Sequence, residues 1–432
     1  ASLILHGELD AQDEPLSSPL YVRPIFKPDR KDFATPPRFE IIPENVLVVD
    51  LIYRSVKRLF DGEGEEPAVA EKIRIINLSL GIPGKPFVDR FPSALSRLLD
   101  FLSHKYRVLF IVSAGNCGSR IEIGERVDLN SQNEEDKRKL ANLILKSLQE
   151  QSRYRRILSP SEGINVLTVG ATHDDESQFQ QRTNICDPLP KGHPSPFSTN
   201  GLGFKRSVKP EVIFPGGRQL FREQLNTGQT NLVLEPVESI APPGHRVAAP
   251  SQRAGMLNAT LYSRGSSNAT ALATRTAAKI YEMLQRLRQS VEGRSLNEAD
   301  DALLIKALLV HGADWGDLSA YYSQNLGITD KDTITKFLGY GKVKANKVMG
   351  CPSYRATVVG HGRLSDGQGD RYQIPLPPSL SGQQIWRRVA VTLAWFTPIV
   401  SRHRLYRQAA LWFSGYGDRG EGDFAERLQI NR

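Results

Sequence analysis

Three apolar runs of strand length, separated by helical segments, constrain this chain most: Ile73–Leu80, Val108–Val112 and Ile164–Val169. A run that is apolar at nearly every position, rather than at alternate ones, must be buried on both faces. The intervening segments carry helical periodicity. Val49, Ile52, Tyr53, Val56, Leu59 and Phe60 share one face of a segment from about 45 to 60, with Pro43 just before it. Leu95, Leu98, Leu99 and Leu102 mark a second helix after Pro92. A long amphipathic helix spans about 268–288, and a shorter one about 301–310. Buried strands alternating with such helices predict an α/β fold, a doubly wound parallel sheet covered on both faces. Leu20–Phe26 reads as a further short strand.

Two stretches break the rhythm. Residues 121–156 are polar and hold a charged helical segment, Glu134–Gln149, expected as a surface insertion. Residues 218–261 are punctuated by Pro and Gly, which predicts extra strands or long loops. After about Gly350 the helical signal stops, and the runs at 372–376, 388–395 and 408–413 read as strands. With 432 residues, the chain exceeds the ~250–300 at which a single core stops growing. We therefore expect a large domain over 1–350 and a small β-rich, sandwich-like domain over 351–432, its last strands cut by the end of the sequence.

Composition narrows the function. Apolar residues at 40% and charged residues at 24% exclude a disordered, collagen-like or disulfide-dense chain. No apolar run reaches the ~18–20 residues that span a bilayer, and the first ten residues lack the basic region of a signal peptide. The net charge of +9 is not gathered into a run of basic residues, so nucleic acid is not an expected partner. Cys117, Cys186 and Cys351 are odd in number, far apart and without metal-ligand spacing, which fits a reducing, cytoplasmic compartment.

Three segments carry the candidate chemistry. Ile75-Ile76-Asn77-Leu78-Ser79-Leu80-Gly81 is a strand ending in a turn. Phe110-Ile111-Val112-Ser113-Ala114-Gly115-Asn116 is a buried strand ending in small residues and an amide that can donate into a cleft. Gly265-Ser266-Ser267-Asn268-Ala269-Thr270-Ala271 opens the long helix. Taken singly, Asn116 reads as a turn residue and Ser267 as a helix cap. Taken together and in this order, they resemble the subtilisin-like serine proteases. That family shows a strand ending Asn-x-Ser-Leu-Gly, a strand ending Ala-Gly-Asn, and a Gly-Thr-Ser-x-Ala box. Val169-Gly170-Ala171, Phe197–Gly201, Lys209–Val212 with Pro215-Gly216, Ile305–Leu309 and Gly339-Tyr340-Gly341 extend the resemblance over residues 1–350.

The resemblance implies a serine endopeptidase acting through an acyl-enzyme on Ser267, with the Asn116 amide in the oxyanion hole. It implies that Ser79, Leu80 and Gly81 pair with an extended peptide substrate, and that Ala114 and Gly115 wall the pocket for the residue before the scissile bond. Ser266 replaces the usual Thr, and Ala271 the common Pro. No cofactor is implied. A structural calcium is common in the family, with ligands that cannot be placed by residue here, and in some bacterial relatives an ATPase is the partner.

The family's chain order is Asp, His, Ser, and both Asp and His are expected before the Ser-Leu-Gly strand. Ala1-Ser2-Leu3-Ile4 resembles the tail of the His box, so the base and its aspartate are expected upstream of Ala1. His6-Gly7 is followed by Glu8 rather than Thr and has no aspartate strand before it, so His6 is expected near a helix end rather than as the base. Asp10 fits no better, and Asp50 falls within an amphipathic helix. His104, His173, His193, His245, His311, His361 and His403 follow the expected site and read as surface or structural. His173-Asp174-Asp175 could suggest a metal, but adjacent loop residues rarely converge on one ion. Two rivals remain: a catalytically incomplete, protease-like module that binds extended peptides, and a basic adaptor whose binding would fall steeply with salt.

Overall fold

The computed structural model describes residues 1–432 except 30, 32–39, 89–90, 180–181, 225–230, 252, 292, 353, 373–381, 383–387, 402–404 and 414–432. The main helices are α1 (Ser2–His6), α2 (Val48–Phe60), α3 (Ala94–Tyr106), α4 (Glu134–Glu150), α5 (Ser266–Arg288) and α6 (Asp301–His311). In chain order, the strands that matter are β1 (Ile75–Leu78), β2 (Leu109–Ser113), β3 (Ile121–Ile123), β4 (Leu167–Thr172), β5 (Ile185–Cys186) and β6 (Val212–Pro215). They continue with β7 (Phe221–Glu223), β8 (Leu232–Pro236), β9 (His245–Ala248), β10 (Thr260–Ser263), β11 (Ala313–Asp314) and β12 (Lys342–Val343).

Among the described residues, a six-stranded sheet runs in the order β11-β12-β6-β4-β2-β1. Every pairing is parallel except the edge pair β11–β12. Side-chain alternation divides the sheet's two faces. Leu109, Ile111, Leu167, Val169, Val212 and Phe214 pack against Ala269, Ala273, Ala277, Ile280 and Leu284 of α5. Phe110, Val112 and Leu78 face the other way, onto Leu95, Leu99 and Leu102 of α3 and Ile52 and Val56 of α2. Both faces are covered, as the unbroken apolar strands predict. Small residues on α5 let the long helix lie close across the sheet, so its N-terminus is delivered to the strand ends.

A second, four-stranded antiparallel sheet runs in the order β3-β8-β7-β5. It packs with α4 through Ile121, Ile123, Leu140, Ile144, Leu148, Phe221 and Leu234. The region expected as a surface insertion therefore joins the later strands in a hydrophobic cluster of its own. The hairpin β9–β10 leads directly into α5.

Two strand expectations are corrected. Leu20–Phe26 is irregular chain, with Tyr21 and Val22 exposed; apolar composition without a pairing edge does not make a strand. Residues 388–395 and 408–413 likewise run without named strands, and most of 372–376 lies outside the described residues. The described residues beyond 350 show one isolated bridge, Ile399–Arg407. This segment is held through its side chains and loops. Phe396 enters the main core, Thr397 exchanges hydrogen bonds with Asn165, and the Tyr406 hydroxyl donates to the buried Asp100 at 2.7 Å.

Candidate active site

The three segments singled out in the sequence meet at one end of the parallel sheet. β1 ends at Leu78 and delivers Ser79-Leu80-Gly81, and β2 ends at Ser113 and delivers Ala114-Gly115-Asn116. Helix α5 begins between them at Ser266, placing Ser267 in its first turn. The Ser267 hydroxyl lies 3.5 Å from the Ser79 carbonyl oxygen, and the Ser79 hydroxyl lies 3.4 Å from the Ser267 carbonyl oxygen. Ser79 is itself held by Asn77, whose Oδ1 accepts from the Ser79 hydroxyl while its Nδ2 donates to Thr274 on the next turns of α5.

Asn116 is fixed by Ser266, the residue that stands in place of the usual Thr. Its Oδ1 accepts from the Ser266 N–H at 2.8 Å and from the Ser266 hydroxyl at 2.9 Å. A backbone N–H can only donate, so this contact assigns the amide's orientation and turns Nδ2 the other way. Gly265 explains what Nδ2 faces. A Cβ at Gly265 would sit 3.2 Å from Asn116 Nδ2 and 3.8 Å from the Ser267 nitrogen. Gly265 also adopts φ 152 and ψ 160, a region that side chains disfavour. Its missing side chain leaves open the space where these two donors converge. The Ser267 N–H has no protein acceptor among the described residues. Two preorganised donors beside a hydroxyl at a helix N-terminus can stabilise negative charge developing on a carbonyl oxygen.

The walls are rigid. Thr199 holds the second one, its N–H donating to the Gly115 carbonyl and its hydroxyl to those of Ala114 and Gly115. The Cys117 N–H donates to Phe197 and keeps the Asn116 turn closed. Beyond β1, which lies at the edge of its sheet, the N–H of Gly81 and the carbonyls of Leu80 and Gly81 have no partner among the described residues. That open backbone can accept an added strand.

No described imidazole is hydrogen-bonded to Ser267. His6 is exposed at the C-terminal end of α1. His173, Asp174 and Asp175 turn to different partners: His173 pairs with Asp187 at 2.5 Å, Asp174 with Lys342 at 2.9 Å, and Asp175 with Arg218. Burial alone would raise the Asp175 carboxyl, but the Arg218 guanidinium and the Ser177 hydroxyl outweigh it and hold the group below the usual carboxylate range. Among the described residues, no group of three or more His, Cys, Asp or Glu is arranged to hold a metal ion. No helix there is long and apolar enough to cross a membrane.

Residues 50–341 match the subtilase family of peptidases (peptidase S8). The chain is 25% identical over 332 residues to the uncharacterized protein y4bN of Sinorhizobium fredii, covering 76% of this chain and 67% of that protein. Solved structures similar to it include the prenylagaramide maturation protease PagA, at 16% identity and TM-score 0.35 over 70% of this chain and 68% of that one. The patellamide maturation protease PatA is similar at 18% identity and TM-score 0.35, over 70% and 67%. The match spans most of the chain and takes in both strand ends and the start of α5: the chain belongs to the subtilase family.

Proposed function

We propose that this subtilase is a serine endopeptidase in which Ser267 attacks the peptide carbonyl and Asn116, with the Ser267 N–H, holds the oxyanion. One observation carries this reading: the Asn116 amide is locked by Ser266 with its donor side turned to the open space beside Ser267. An extended substrate would lie as an added strand along Ser79–Gly81.

On this reading the imidazole that takes the Ser267 proton is not one that the described residues hydrogen-bond to it. The packing of α1 keeps His6 from that role. Arg275 of α5 donates to the carbonyls of Ile4 and Leu5, while Leu3 and Ile4 pack on Ala271 and Leu272. Helix α1 therefore runs alongside α5 in the same direction, with its N-terminal end toward Ser267 and His6 at the far end.

The test is intact mass spectrometry of the full-length protein after treatment with a fluorophosphonate, alongside Ser267→Ala. The expected result is one adduct, absent from the variant, formed as the Ser267 oxygen bonds phosphorus and fluoride leaves. Asn116→Ala should lower turnover by roughly 10²–10³, the cost of removing the equivalent oxyanion donor in subtilisin itself. The second reading, a peptide-binding module without chemistry, is favoured by the absence of an imidazole on Ser267 among the described residues. Strand-like peptide binding by a protein that takes up no adduct would establish it.

A further inference from the structure

We propose that Leu158 fills the cleft between the two walls of this site and restricts the residue before the scissile bond to glycine or alanine. The inference rests on the reading of Ser267 and Asn116 given above and names the substrate class of that site.

The walls approach one another at two glycines. A Cβ at Gly81 would lie 3.3 Å from Gly115 Cα, so the ends of the two strands are separated by little more than backbone. A peptide paired along Ser79–Gly81, with its carbonyl at Ser267, sends the preceding side chain toward this gap. In this chain the gap is already occupied. A Cβ at Gly115 would meet Leu158 Cγ at 2.6 Å and Cβ and Cδ1 at 2.8 Å, and one at Gly81 would meet Leu158 Cβ at 3.4 Å and Cδ1 at 3.5 Å. Leu158 therefore packs on the bare faces of both glycines and is itself half-buried.

The backbone of Leu158 is held firmly. Its N–H donates to the Ala114 carbonyl at 2.8 Å, and its carbonyl accepts from the Ser161 N–H at 3.0 Å and the Ser161 hydroxyl at 2.6 Å. The flanking residues are tied to the loop after β1: Ile82 donates to Ser159, Ser159 to Lys85, and Phe87 to Ile157. Buried Glu162 fastens the turn by accepting from the Ser159 hydroxyl and the Ser93 N–H. A segment held on both sides fixes where the leucine leaves the backbone, so a bulky substrate side chain must displace a side chain that packs on both glycines.

The experiment uses peptidyl diphenyl phosphonates that differ only in the unit reacting with serine, one an alanine analogue and the other a phenylalanine analogue. Labelling is followed by intact mass on the full-length protein, with a simple fluorophosphonate in parallel. In each reaction the Ser267 oxygen bonds phosphorus and phenoxide leaves, carried off as phenol. The alanine probe should react about 100-fold faster than the phenylalanine probe, the discrimination that a few methylene-sized clashes impose. Leu158→Gly should bring the two rates within about tenfold of each other, and Leu158→Val should fall between. The ratio is read within each variant, so a general loss of reactivity cancels. Equal labelling of the unaltered protein by both probes, or a ratio unmoved in both variants, would overturn the proposal while fluorophosphonate uptake leaves the Ser267 reading standing. No fluorophosphonate adduct would overturn both.

Discussion

The parallel sheet and the antiparallel sheet are both well packed, yet only one of them carries the candidate chemistry. In the parallel sheet, α5 crosses β1, β2, β4 and β6, so Ser79, Asn116 and Ser267 are all positioned by the packing of one sheet and its two faces. The antiparallel sheet β3-β8-β7-β5 with α4 encloses a separate cluster and contributes none of these residues. The difference lies in what the packing is attached to. Burial in the parallel sheet sets the positions of strand ends and a helix N-terminus. Burial in the second sheet stabilises a unit beside the site.

The comparison is tested most strongly by one cavity in each cluster. Ile111 of β2 and Ile144 of α4 are both fully buried. Truncating either to alanine should cost about 2–5 kcal/mol in urea denaturation. Their consequences should part. Ile111→Ala should slow fluorophosphonate labelling of Ser267 and raise hydrogen exchange along the parallel strands. Ile144→Ala should raise exchange in α4 and β8 while labelling proceeds at the original rate. If Ile144→Ala slows labelling as much as Ile111→Ala does, the two clusters are one cooperative unit and the contrast drawn here is wrong.

Legibility in the sequence follows the same division. β2 and β4 announce themselves because strands buried on both faces are mostly apolar, and Asn116 and Ser267 are legible because strand ends and helix starts carry short-range signals. The second sheet is harder to read. β3 has three residues, alternates burial, and pairs with β8, about 110 residues away; alternation that short cannot identify a partner. Leu158 gave no signal at all. It follows an insertion, and only the three-dimensional approach of Gly81 to Gly115 gives it meaning. Leu20–Phe26 failed in the opposite sense, because its apolar composition met no open sheet edge.

The seam between the two sheets should respond to acid. His193 lies in the loop after β4, edge-on to Tyr321 with ring centroids 4.5 Å apart, and the Tyr321 hydroxyl donates to Asn142 of α4. Burial, and secondarily the nearby His173, pushes the His193 imidazole down to about 4. An imidazole depressed in the folded state stays neutral there while the unfolded chain takes up a proton. Stability should therefore be level above pH ~6.5 and fall as pH drops toward 4, by up to about 3 kcal/mol. His193→Gln should flatten that part of the profile in urea denaturation measured at successive pH values. An acid limb equally steep in the variant would move its origin to other groups, such as the carboxylate Asp175.

The smallest expected effect bears on the parallel sheet's own claim to precision. The Ser266 hydroxyl supplies one of the two hydrogen bonds that hold Asn116 Oδ1, and the Ser266 N–H supplies the other. Removing a single neutral hydrogen bond is worth about 1 kcal/mol, or about a fivefold change in rate if all of it is expressed in positioning the amide. Ser266→Ala should thus slow acylation of Ser267 about fivefold at unchanged substrate affinity, and Ser266→Thr should restore the rate because it restores the hydroxyl. A structural role alone would lower the denaturation midpoint without this selective loss. No change in either quantity would mean that the backbone N–H holds Asn116 unaided, so the oxyanion geometry would belong to the helix start rather than to any side chain on it.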